Sequence, residues 1–171
     1  MDKIAVVTGT SQGLGLLLAH SLLDAGWTVY GLARSERSPI LSSDKYTHVC
    51  LDISNKDAVQ QFFATVPTNI DLLINNAASF KLAPLLNTDV ADIDSMIDIN
   101  VKGTMYCTKF AQYKMNRRGR IIFINSVAGL AEQENQAVYC ASKFALTAFA
   151  GVIAKEFRDS EVSVTSIHPG G

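Results

Sequence analysis

Short apolar runs alternate with longer segments of helical periodicity along the chain. Runs rich in β-branched residues predict six strands, at 3–8, 27–33, 46–52, 70–76, 119–126 and 161–167. Helical patterns lie between them, the clearest at about 14–26, 88–115 and 137–158. Continuous apolar strands joined by helices are typical of a parallel sheet covered on both faces. The sequence therefore predicts a single α/β domain over residues 1–171, a doubly wound parallel sheet with three αβα layers.

Two local signals predict details of the helices. The first helix repeats apolar residues along one face, at Leu14, Leu18, Leu22 and Ala25. Farther along, Ser54 followed by Asp57 resembles a capping box, in which two side chains cap the first turn of a helix. We therefore expect a leucine face on the first helix and a second helix that Ser54 opens.

Composition and charge narrow the class of protein. Apolar residues make up 48% of the chain and charged residues 18%, a balance typical of globular domains. The net charge is −1, so no basic field would gather nucleic acid or an anionic membrane. No apolar run approaches the roughly 20 residues of a membrane span, and the start lacks a signal-peptide pattern. We therefore expect a cytoplasmic protein without nucleic-acid or membrane partners.

The cysteines and histidines are too dispersed to predict a metal site. The cysteines are far apart and lack CxxC spacing; they are Cys50, Cys107 and Cys140. This spacing favours reduced thiols in a cytosolic protein. The three histidines are equally scattered. The prediction is that the chain holds no metal.

A glycine-rich turn follows the first predicted strand. The segment TGTSQGLG contains Gly9, Gly13 and Gly15 and then opens a helix. Gly9 would allow a tight turn, Gly13 a close approach to pyrophosphate, and Gly15 close helix packing. The N–H groups and the positive end of the helix would face phosphate oxygens. An ordinary glycine-rich turn is the alternative, but the position between strand and helix favours a dinucleotide site.

The end of the second predicted strand bears on which dinucleotide is bound. Sites for NAD usually have an acidic residue there, which binds the ribose 2′-hydroxyl. Here Ala33 occupies that position and Arg34 follows it. A guanidinium holds a 2′-phosphate well, whereas a carboxylate would repel it. The alternative is that Arg34 is one solvated charge among several, including Arg37. Because the carboxylate is missing, NADP is favoured over NAD.

Three polar residues occur where catalytic groups would meet. Ser126 ends the fifth predicted strand, at the carboxyl edge where ligands bind in such sheets. Tyr139 and Lys143 lie near the start of the next helix, and residues four apart share a helix face. Both side chains can therefore address one ligand. For this pair taken alone, chance spacing on an ordinary amphipathic helix is the alternative.

Taken together, these residues resemble the short-chain dehydrogenase/reductase family. The resemblance follows the whole chain in the expected order, through Thr8, Gly9, Gly13, Gly15, Asp52, Asn75, Asn76, Ala77, Asn100, Ser126, Tyr139, Lys143, Pro169 and Gly170. It implies a Rossmann fold and hydride transfer between NADP(H) and a small-molecule carbonyl or alcohol. The cofactor contacts that it implies are Gly9, Ser11, Gly13, Leu14, Gly15, Arg34, Asp52, Ile53, Asn75, Asn76, Ala77, Tyr139, Lys143, Pro169 and Gly170.

The resemblance also implies roles for the catalytic candidates. Tyr139 would be the general acid or base, and Ser126 would position the substrate oxygen rather than act as a nucleophile. Lys143 would hold nicotinamide ribose hydroxyls and favour the phenolate. At ~4 Å and an effective dielectric near 20 their attraction is about 4 kcal/mol, which bounds the lowering of the tyrosine pKa at about three units. Serine-hydrolase chemistry is disfavoured because no histidine occupies a convincing partner position.

Other positions keep two interpretations each. Asn100 would join a water-linked proton path to Lys143, or be a buried amide satisfied by structural partners. Asp52 would bind the adenine amine, or cap the following helix locally. Asn75 and Asn76 fit a segment that lines the cofactor in this family, although Ala78 replaces its usual glycine.

The printed sequence stops soon after the sixth predicted strand. Family members normally continue with a substrate-covering loop and helix and then a seventh strand, so we expect a domain that lacks these parts. A fragment, a natural truncation and a protein completed by its partner are all open, as is a catalytically silent NADP-binding or assembly module. The alanine-rich helix at 137–158 is the one through which family members pair. This predicts a homodimer or a homotetramer.

Overall fold

Six strands form the sheet of the computed structural model, which describes residues 3–36 and 38–170. They are β1 Ile4–Thr8, β2 Thr28–Ala33, β3 Tyr46–Cys50, β4 Ile70–Asn75, β5 Met115–Ile124 and β6 Ser163–Ile167. The order across the sheet is β3-β2-β1-β4-β5-β6, and every neighbouring pair is parallel. The chain changes direction across the sheet between β1 and β4, and such a switch point is where open α/β sheets bind ligands.

Helices connect the strands and cover both faces of the sheet. They are α1 Gly13–Asp24, α2 Lys56–Thr65, α3 Val90–Met96, α4 Thr104–Ala111 and α5 Ala137–Glu156. A π-helical segment, Ile97–Gly103, joins α3 directly to α4. Short 3₁₀ turns occur at Leu85–Asn87, Val127–Gly129 and Arg158–Ser160. The six-stranded parallel sheet with helices on both faces confirms the predicted fold class.

Each face of the sheet has its own apolar core, because successive side chains of a strand point to opposite faces. On one face, Ala19 of α1 lies in a cluster with Val7 and Val29. On the other face the cluster joins the sheet to α2, α4 and α5, and its members include Val6, Leu32, Phe63, Leu73, Cys107, Ile121, Phe123 and Ala150. These two cores hold the strand ends, and therefore the loops that follow them, in fixed positions.

The face that α1 buries differs from the predicted leucine face. Gly15 and Ala19 are its buried residues, whereas Leu14 and Ala25 are exposed. Small side chains let the helix axis approach the sheet, and Leu22 packs against the core only partly buried. The large apolar residues therefore lie at the side of the contact between α1 and the sheet, and the small residues lie at its centre.

The predicted capping box is wrong by one residue. α2 is capped by Asn55, whose side-chain oxygen accepts a 3.1 Å hydrogen bond from the backbone N–H of Ala58. Ser54 does not cap the helix, because its backbone N–H and its hydroxyl both donate to Asp52. A single asparagine therefore satisfies the first turn without the reciprocal pair.

The boundary between the long helix and the fifth strand also moves. The helix predicted over 88–115 ends at Ala111, and β5 begins at Met115 rather than at residue 119. The first residues of β5 are polar, and Arg118 adopts a positive φ of 65°. The pairing of β4 with β5 shifts register between Ile70 and Leu72. An irregular, polar start of this kind has no apolar pattern from which to predict a strand.

Among the described helices, α5 alone is long and apolar enough to cross a membrane by length and composition. This is weak evidence, because core helices of soluble proteins pass the same test. Here α5 buries Cys140, Leu146 and Ala150, and it packs against β6 and the π-helical segment. Its apolar character is therefore accounted for in part by contacts within the fold.

Candidate active site

A cavity of about 550 Å³ opens beside the carboxyl ends of β1, β2 and β4, at the switch point of the sheet. Eight predicted cofactor-binding residues line it: Gly9, Ser11, Gly13, Arg34, Asp52, Ile53, Asn76 and Ala77. Ile99 of the π-helical segment completes one wall. The volume is in the range of small-molecule and cofactor sites, roughly 300–1,000 Å³. The fold thus gathers residues from four separate loops around one space.

The glycine loop leaves room where a phosphate would lie. Gly9 has a φ of 75°, and a Cβ there would lie 2.9 Å from the Cα of Ala77. At Gly15 a Cβ would collide with the carbonyl oxygen of Gly9. A Cβ on Gly13 would meet no atom within 4 Å. Gln12 at the N-terminus of α1 makes no side-chain capping bond, so the free N–H groups of the first turn suit an anion.

Reciprocal hydrogen bonds tie the ends of β1 and β4 together. The hydroxyl oxygen of Thr8 accepts from the backbone N–H groups of Asn76 and Ala77, each at 2.9 Å. The Asn76 amide donates to the carbonyls of Thr8 at 2.9 Å and Gly9 at 3.3 Å. These bonds hold the glycine loop against the loop after β4. Ala78, in place of the family's usual glycine, lines the same cavity.

Seven predicted cofactor contacts lie outside the lining of this cavity: Leu14, Gly15, Asn75, Tyr139, Lys143, Pro169 and Gly170. Asn75 is buried, and its amide donates at 3.1 Å to the hydroxyl of Thr108 in α4. Gly15 packs beneath the glycine loop, and Leu14 is exposed on α1. Pro169 accepts a bond from the backbone of Val127 at 3.2 Å. Gly15, Asn75 and Pro169 therefore contact neighbouring segments rather than the open space.

At the corner beyond β2, a cation and a carboxylate face the cavity together. The side chain of Arg34 is 67% exposed, and its guanidinium lies 4.0 Å from a carboxylate oxygen of Asp52. The other oxygen of Asp52 accepts from the N–H of Ser54 at 2.9 Å and from its hydroxyl at 2.7 Å. Asp52 therefore holds the turn before α2, which Asn55 rather than Asp52 caps, and it also lines the cavity. Arg37, the other arginine of this segment, lies outside the described residues.

The catalytic candidates converge at the carboxyl end of β5. Ser126 follows this strand, and Tyr139 and Lys143 come from the first two turns of α5. Lys143 is only 2% exposed; its ammonium donates to the carbonyl of Ile124 at 3.3 Å and lies 5.5 Å from the centre of the Tyr139 ring. The Ser126 hydroxyl accepts from the Ala128 N–H at 3.1 Å and lies near enough to the Tyr139 phenol to lower its pKa. The predicted trio therefore shares one small region.

The pKa of Tyr139 differs from the prediction. Burial raises the pKa of Tyr139 above its ordinary value, and the hydrogen bond with Ser126 opposes that rise. Burial also lowers the pKa of Lys143 to about 8. The predicted lowering of the tyrosine pKa by the lysine charge is wrong in this structure. The main cause is burial of the phenol itself, which disfavours the charged phenolate.

Asn100 joins three parts of the site from within the π-helical segment. It is fully buried, and its amide donates to the Ser79 carbonyl at 2.9 Å and to the Ser142 hydroxyl at 3.0 Å. Its side-chain oxygen accepts from the Ser79 N–H at 2.7 Å. Ser142 donates in turn to the carbonyl of Tyr139 at 2.7 Å. The side chain thus has the structural partners of the second interpretation, and π-helical turns often occur at functional sites.

Phe80 contacts the Tyr139 ring, which the sequence reasoning did not anticipate. The two ring centres are 4.7 Å apart, and the planes meet at 79°. Phe80 remains 56% exposed, so it forms an apolar wall beside the phenol rather than part of the core. Its position just after β4 carries no local signal of this contact, because the partner is distant in sequence.

His168 is a second residue that sequence reasoning missed. One ring nitrogen, Nδ1, lies 3.0 Å from the carbonyl oxygen of Ser126, and Nε2 lies 3.0 Å from the hydroxyl of Ser166. Because a carbonyl only accepts, Nδ1 carries hydrogen and the serine hydroxyl donates to Nε2 in the neutral ring. His168 thus fastens the backbone of Ser126 to the end of β6.

Comparison with known proteins identifies the family of this chain. A family model described as short chain dehydrogenase matches residues 3–171. The chain belongs to the short-chain dehydrogenase family. A farnesol dehydrogenase of Aedes aegypti is 35% identical to it over 187 aligned residues, which cover 98% of this chain and 76% of that relative. This short-chain dehydrogenase is therefore an oxidoreductase by family.

Solved structures share the fold of this short-chain dehydrogenase. A short chain dehydrogenase family protein from Francisella tularensis superimposes with a TM-score of 0.93 at 20% identity, over 100% of this chain and 70% of that one. A structure of ElxO with NADP bound gives a TM-score of 0.90 at 26% identity, over 99% of this chain and 74% of that one. The first likeness supports the fold alone.

Proposed function

We propose that this short-chain dehydrogenase transfers hydride between NADP(H) and a small-molecule carbonyl or alcohol, with Tyr139 as the general acid or base. The observation that carries the proposal is the convergence of Ser126, Tyr139 and Lys143 at the carboxyl edge of the sheet, the same edge at which the cavity opens. An alternative, a module that binds NADP without catalysis, is an outcome of the test below.

The cavity suits the proposed cofactor in two ways. Its glycine loop is open at Gly13, and the uncapped start of α1 offers backbone N–H groups to a pyrophosphate. Arg34 and Ser35 line the opposite corner, where a 2′-phosphate would find the guanidinium. Ala33 at the end of β2 carries no carboxylate to repel it.

Each catalytic residue then has a defined task. When bound, the dinucleotide supplies or accepts the hydride. The raised pKa of Tyr139 keeps its phenol protonated at neutral pH, so it can donate a proton to a carbonyl oxygen. The hydroxyl of Ser126 orients that oxygen. Lys143, with a pKa of about 8, stays largely charged at neutral pH, so its ammonium could hold the ribose hydroxyls beside the nicotinamide, the role that the family resemblance gives it.

The substrate class is narrowed by the wall beside Tyr139. Phe80 and Val127 expose apolar surface next to the catalytic residues. The relative from Aedes aegypti carries the name farnesol dehydrogenase. Both observations support apolar carbonyl compounds and alcohols, isoprenoid alcohols included, as substrates.

The test follows NADPH oxidation with ketones, aldehydes and 3-oxoacyl thioesters, and NADP⁺ reduction with farnesol and smaller alcohols. Tyr139→Phe should lower turnover by about 10²–10⁴-fold while NADP⁺ binding persists, because only proton transfer is lost. Tyr113→Phe, at an exposed tyrosine outside the site, is the matched control. Turnover that survives Tyr139→Phe would refute the mechanism, and NADP⁺ binding without any turnover would favour the silent module.

The proposal extends to assembly. Nine of the twenty residues of α5 are exposed, and apolar or small side chains among them include Phe144, Ala148 and Val152. An apolar helix face of this kind favours pairing with a second copy. We expect a homodimer or a homotetramer in light scattering at micromolar concentration, and a monomer there would contradict it.

We also propose a cytoplasmic location. Its support is the state of the three cysteines, which are free in the structure, as expected for a reducing compartment. Fractionation of cells that express the protein checks this, and recovery with the membrane pellet would argue against it.

A further inference from the structure

One face of strand β3 carries three side chains that reach the loops around the cavity. Alternate residues of a strand share a face, and here they are Tyr46, His48 and Cys50. In the described sheet, β3 lies at the edge and pairs with β2. The contacts of these side chains are with two segments that line the proposed cofactor site.

Two of them hold consecutive carbonyls of the loop after β2. Nε2 of His48 lies 3.0 Å from the carbonyl oxygen of Ser35, and the thiol of Cys50 donates at 3.3 Å to the carbonyl of Arg34. Because a carbonyl only accepts, Nε2 carries the hydrogen. Arg34 and Ser35 both line the cavity. Strand β3 therefore fixes the backbone from which the guanidinium extends.

Tyr46 connects the same face to the glycine loop. Its hydroxyl oxygen lies 3.4 Å from Nδ1 of His48 and 3.0 Å from the hydroxyl of Thr10. With hydrogen on Nε2, Nδ1 of the neutral ring accepts, so Tyr46 donates to His48 and Thr10 donates to Tyr46. Gly31 of β2 makes room for this link, since a Cβ there would collide with the tyrosine hydroxyl. The four groups Thr10, Tyr46, His48 and Ser35 form what we term the β3 relay.

We propose that Tyr46 and His48 are positioning residues that set the preference for NADP over NAD. They act through the Arg34–Ser35 loop and do not themselves line the cavity. The pyrophosphate, common to both cofactors, would meet the glycine loop, whereas only NADP has a 2′-phosphate for the Arg34 corner. Loosening that corner therefore weakens NADP more than NAD. This inference rests on the proposed function, because it needs a dinucleotide in the cavity.

The experiment measures the dissociation constants of NADP⁺ and NAD⁺ by isothermal titration calorimetry. His48→Leu keeps bulk but removes both ring nitrogens, so NADP⁺ affinity should fall about three- to tenfold, as expected for one lost hydrogen bond. NAD⁺ affinity should change less than about twofold, because NAD⁺ has no 2′-phosphate for the loosened corner. His48→Gln can still donate to the Ser35 carbonyl and should restore most of the preference.

Matched variants separate an effect on the position of the Arg34–Ser35 loop from a general loss of structure. Tyr46→Phe keeps the ring but breaks the link to Thr10, and it should lower the NADP⁺ to NAD⁺ affinity ratio by less than His48→Leu does. Tyr113→Phe, at an exposed position, should leave the ratio unchanged. An unchanged ratio in folded His48→Leu, or an equal loss of both cofactors, would overturn the inference while leaving the proposed function intact. If the wild-type protein does not prefer NADP⁺ over NAD⁺, both the inference and the proposed NADP-dependent function are refuted.

A spectroscopic measurement covers the case in which a variant does not fold. In wild-type protein, ¹⁵N NMR of the neutral His48 ring should show hydrogen on Nε2 and none on Nδ1, which accepts from Tyr46. The opposite tautomer would mean that His48 does not donate to Ser35, and it would refute the relay without any variant.

Discussion

Replacing Lys143 by methionine should make the protein more stable at neutral pH, although it removes a proposed catalytic group. Lys143 is buried, and its pKa falls from 10.5 to about 8 because burial disfavours the charged form. Methionine has nearly the same length and no charge. The folded protein would therefore lose the cost of keeping an ammonium in a poorly solvated place.

The magnitude follows from the pKa. One pKa unit corresponds to about 1.4 kcal/mol, so the charged lysine costs the folded state about 3 kcal/mol at pH 7. The variant also loses the 3.3 Å bond from the ammonium to the Ile124 carbonyl, worth about 1 kcal/mol. The net gain in the free energy of unfolding should be about 1–3 kcal/mol at pH 7.

The gain should disappear as the pH rises. Between about 8 and 10.5 the unfolded chain holds a proton that the folded chain has released, so wild type gains stability across this window. By pH 10.5 the variant should be no more stable than wild type. Urea unfolding of both proteins at the two pH values measures this difference. Lys155→Met, at an exposed lysine of the same helix, is the control and should show little change at either pH.

A Lys143→Met protein that is destabilised by the same amount at both pH values would refute the reasoning. Such a result would mean that the ammonium is well solvated or well paired in the folded state. Loss of oxidoreductase activity together with a gain in stability is the outcome that the geometry predicts, since functional sites often hold groups that cost stability.

Two further changes test the framework of the site. Asn100→Leu removes the three hydrogen bonds of a buried side chain and leaves groups of Ser79 and Ser142 unpaired. The free energy of unfolding, measured by urea titration, should therefore fall by about 2–4 kcal/mol. A loss below about 1 kcal/mol would contradict the assigned bonds. In native protein at pH 8, a thiol reagent should label the exposed Cys50 and spare Cys107, whose pKa burial raises to about 12. Mass spectrometry reads the sites, and equal labelling of both would argue that α4 is not packed as described.

The parts of the site that could be predicted from the sequence are those with a local signal. Gly9 and Gly13 lie between a strand pattern and a helix pattern, and this placement alone indicates a phosphate loop. Tyr139 and Lys143 are four residues apart on a helix, so their shared face follows from helical geometry. The apolar runs of β4 and β5 have clear carboxyl ends. Asn76 and Ser126, which follow these ends, could therefore also be placed at the same edge of the sheet.

The parts that could not be predicted depend on contacts between distant segments. Nothing near Phe80 indicates that it will meet Tyr139, and nothing near His48 indicates that it will reach Ser35. The tyrosine pKa moves opposite to the prediction because desolvation depends on burial, which spacing alone does not supply. The buried face of α1 was missed for a related reason, since small residues such as Ala19 become contact points only when a sheet lies opposite them.

The π-helical segment between α3 and α4 has a consequence for insertions and deletions in this chain. A π turn closes over one more residue than an α turn, so the two flanking helices are out of phase with a single continuous α-helix. That offset lets α3 face α5 while α4 faces α2 and β4. Loss of one residue there would restore α-helical pitch and leave Cys107 and Thr108 on nearly the same side of the axis, because the π turns hold the extra residue. A single deletion in this stretch therefore changes the contacts of the segment itself, those of Asn100 included, more than it changes the packing of α3 and α4.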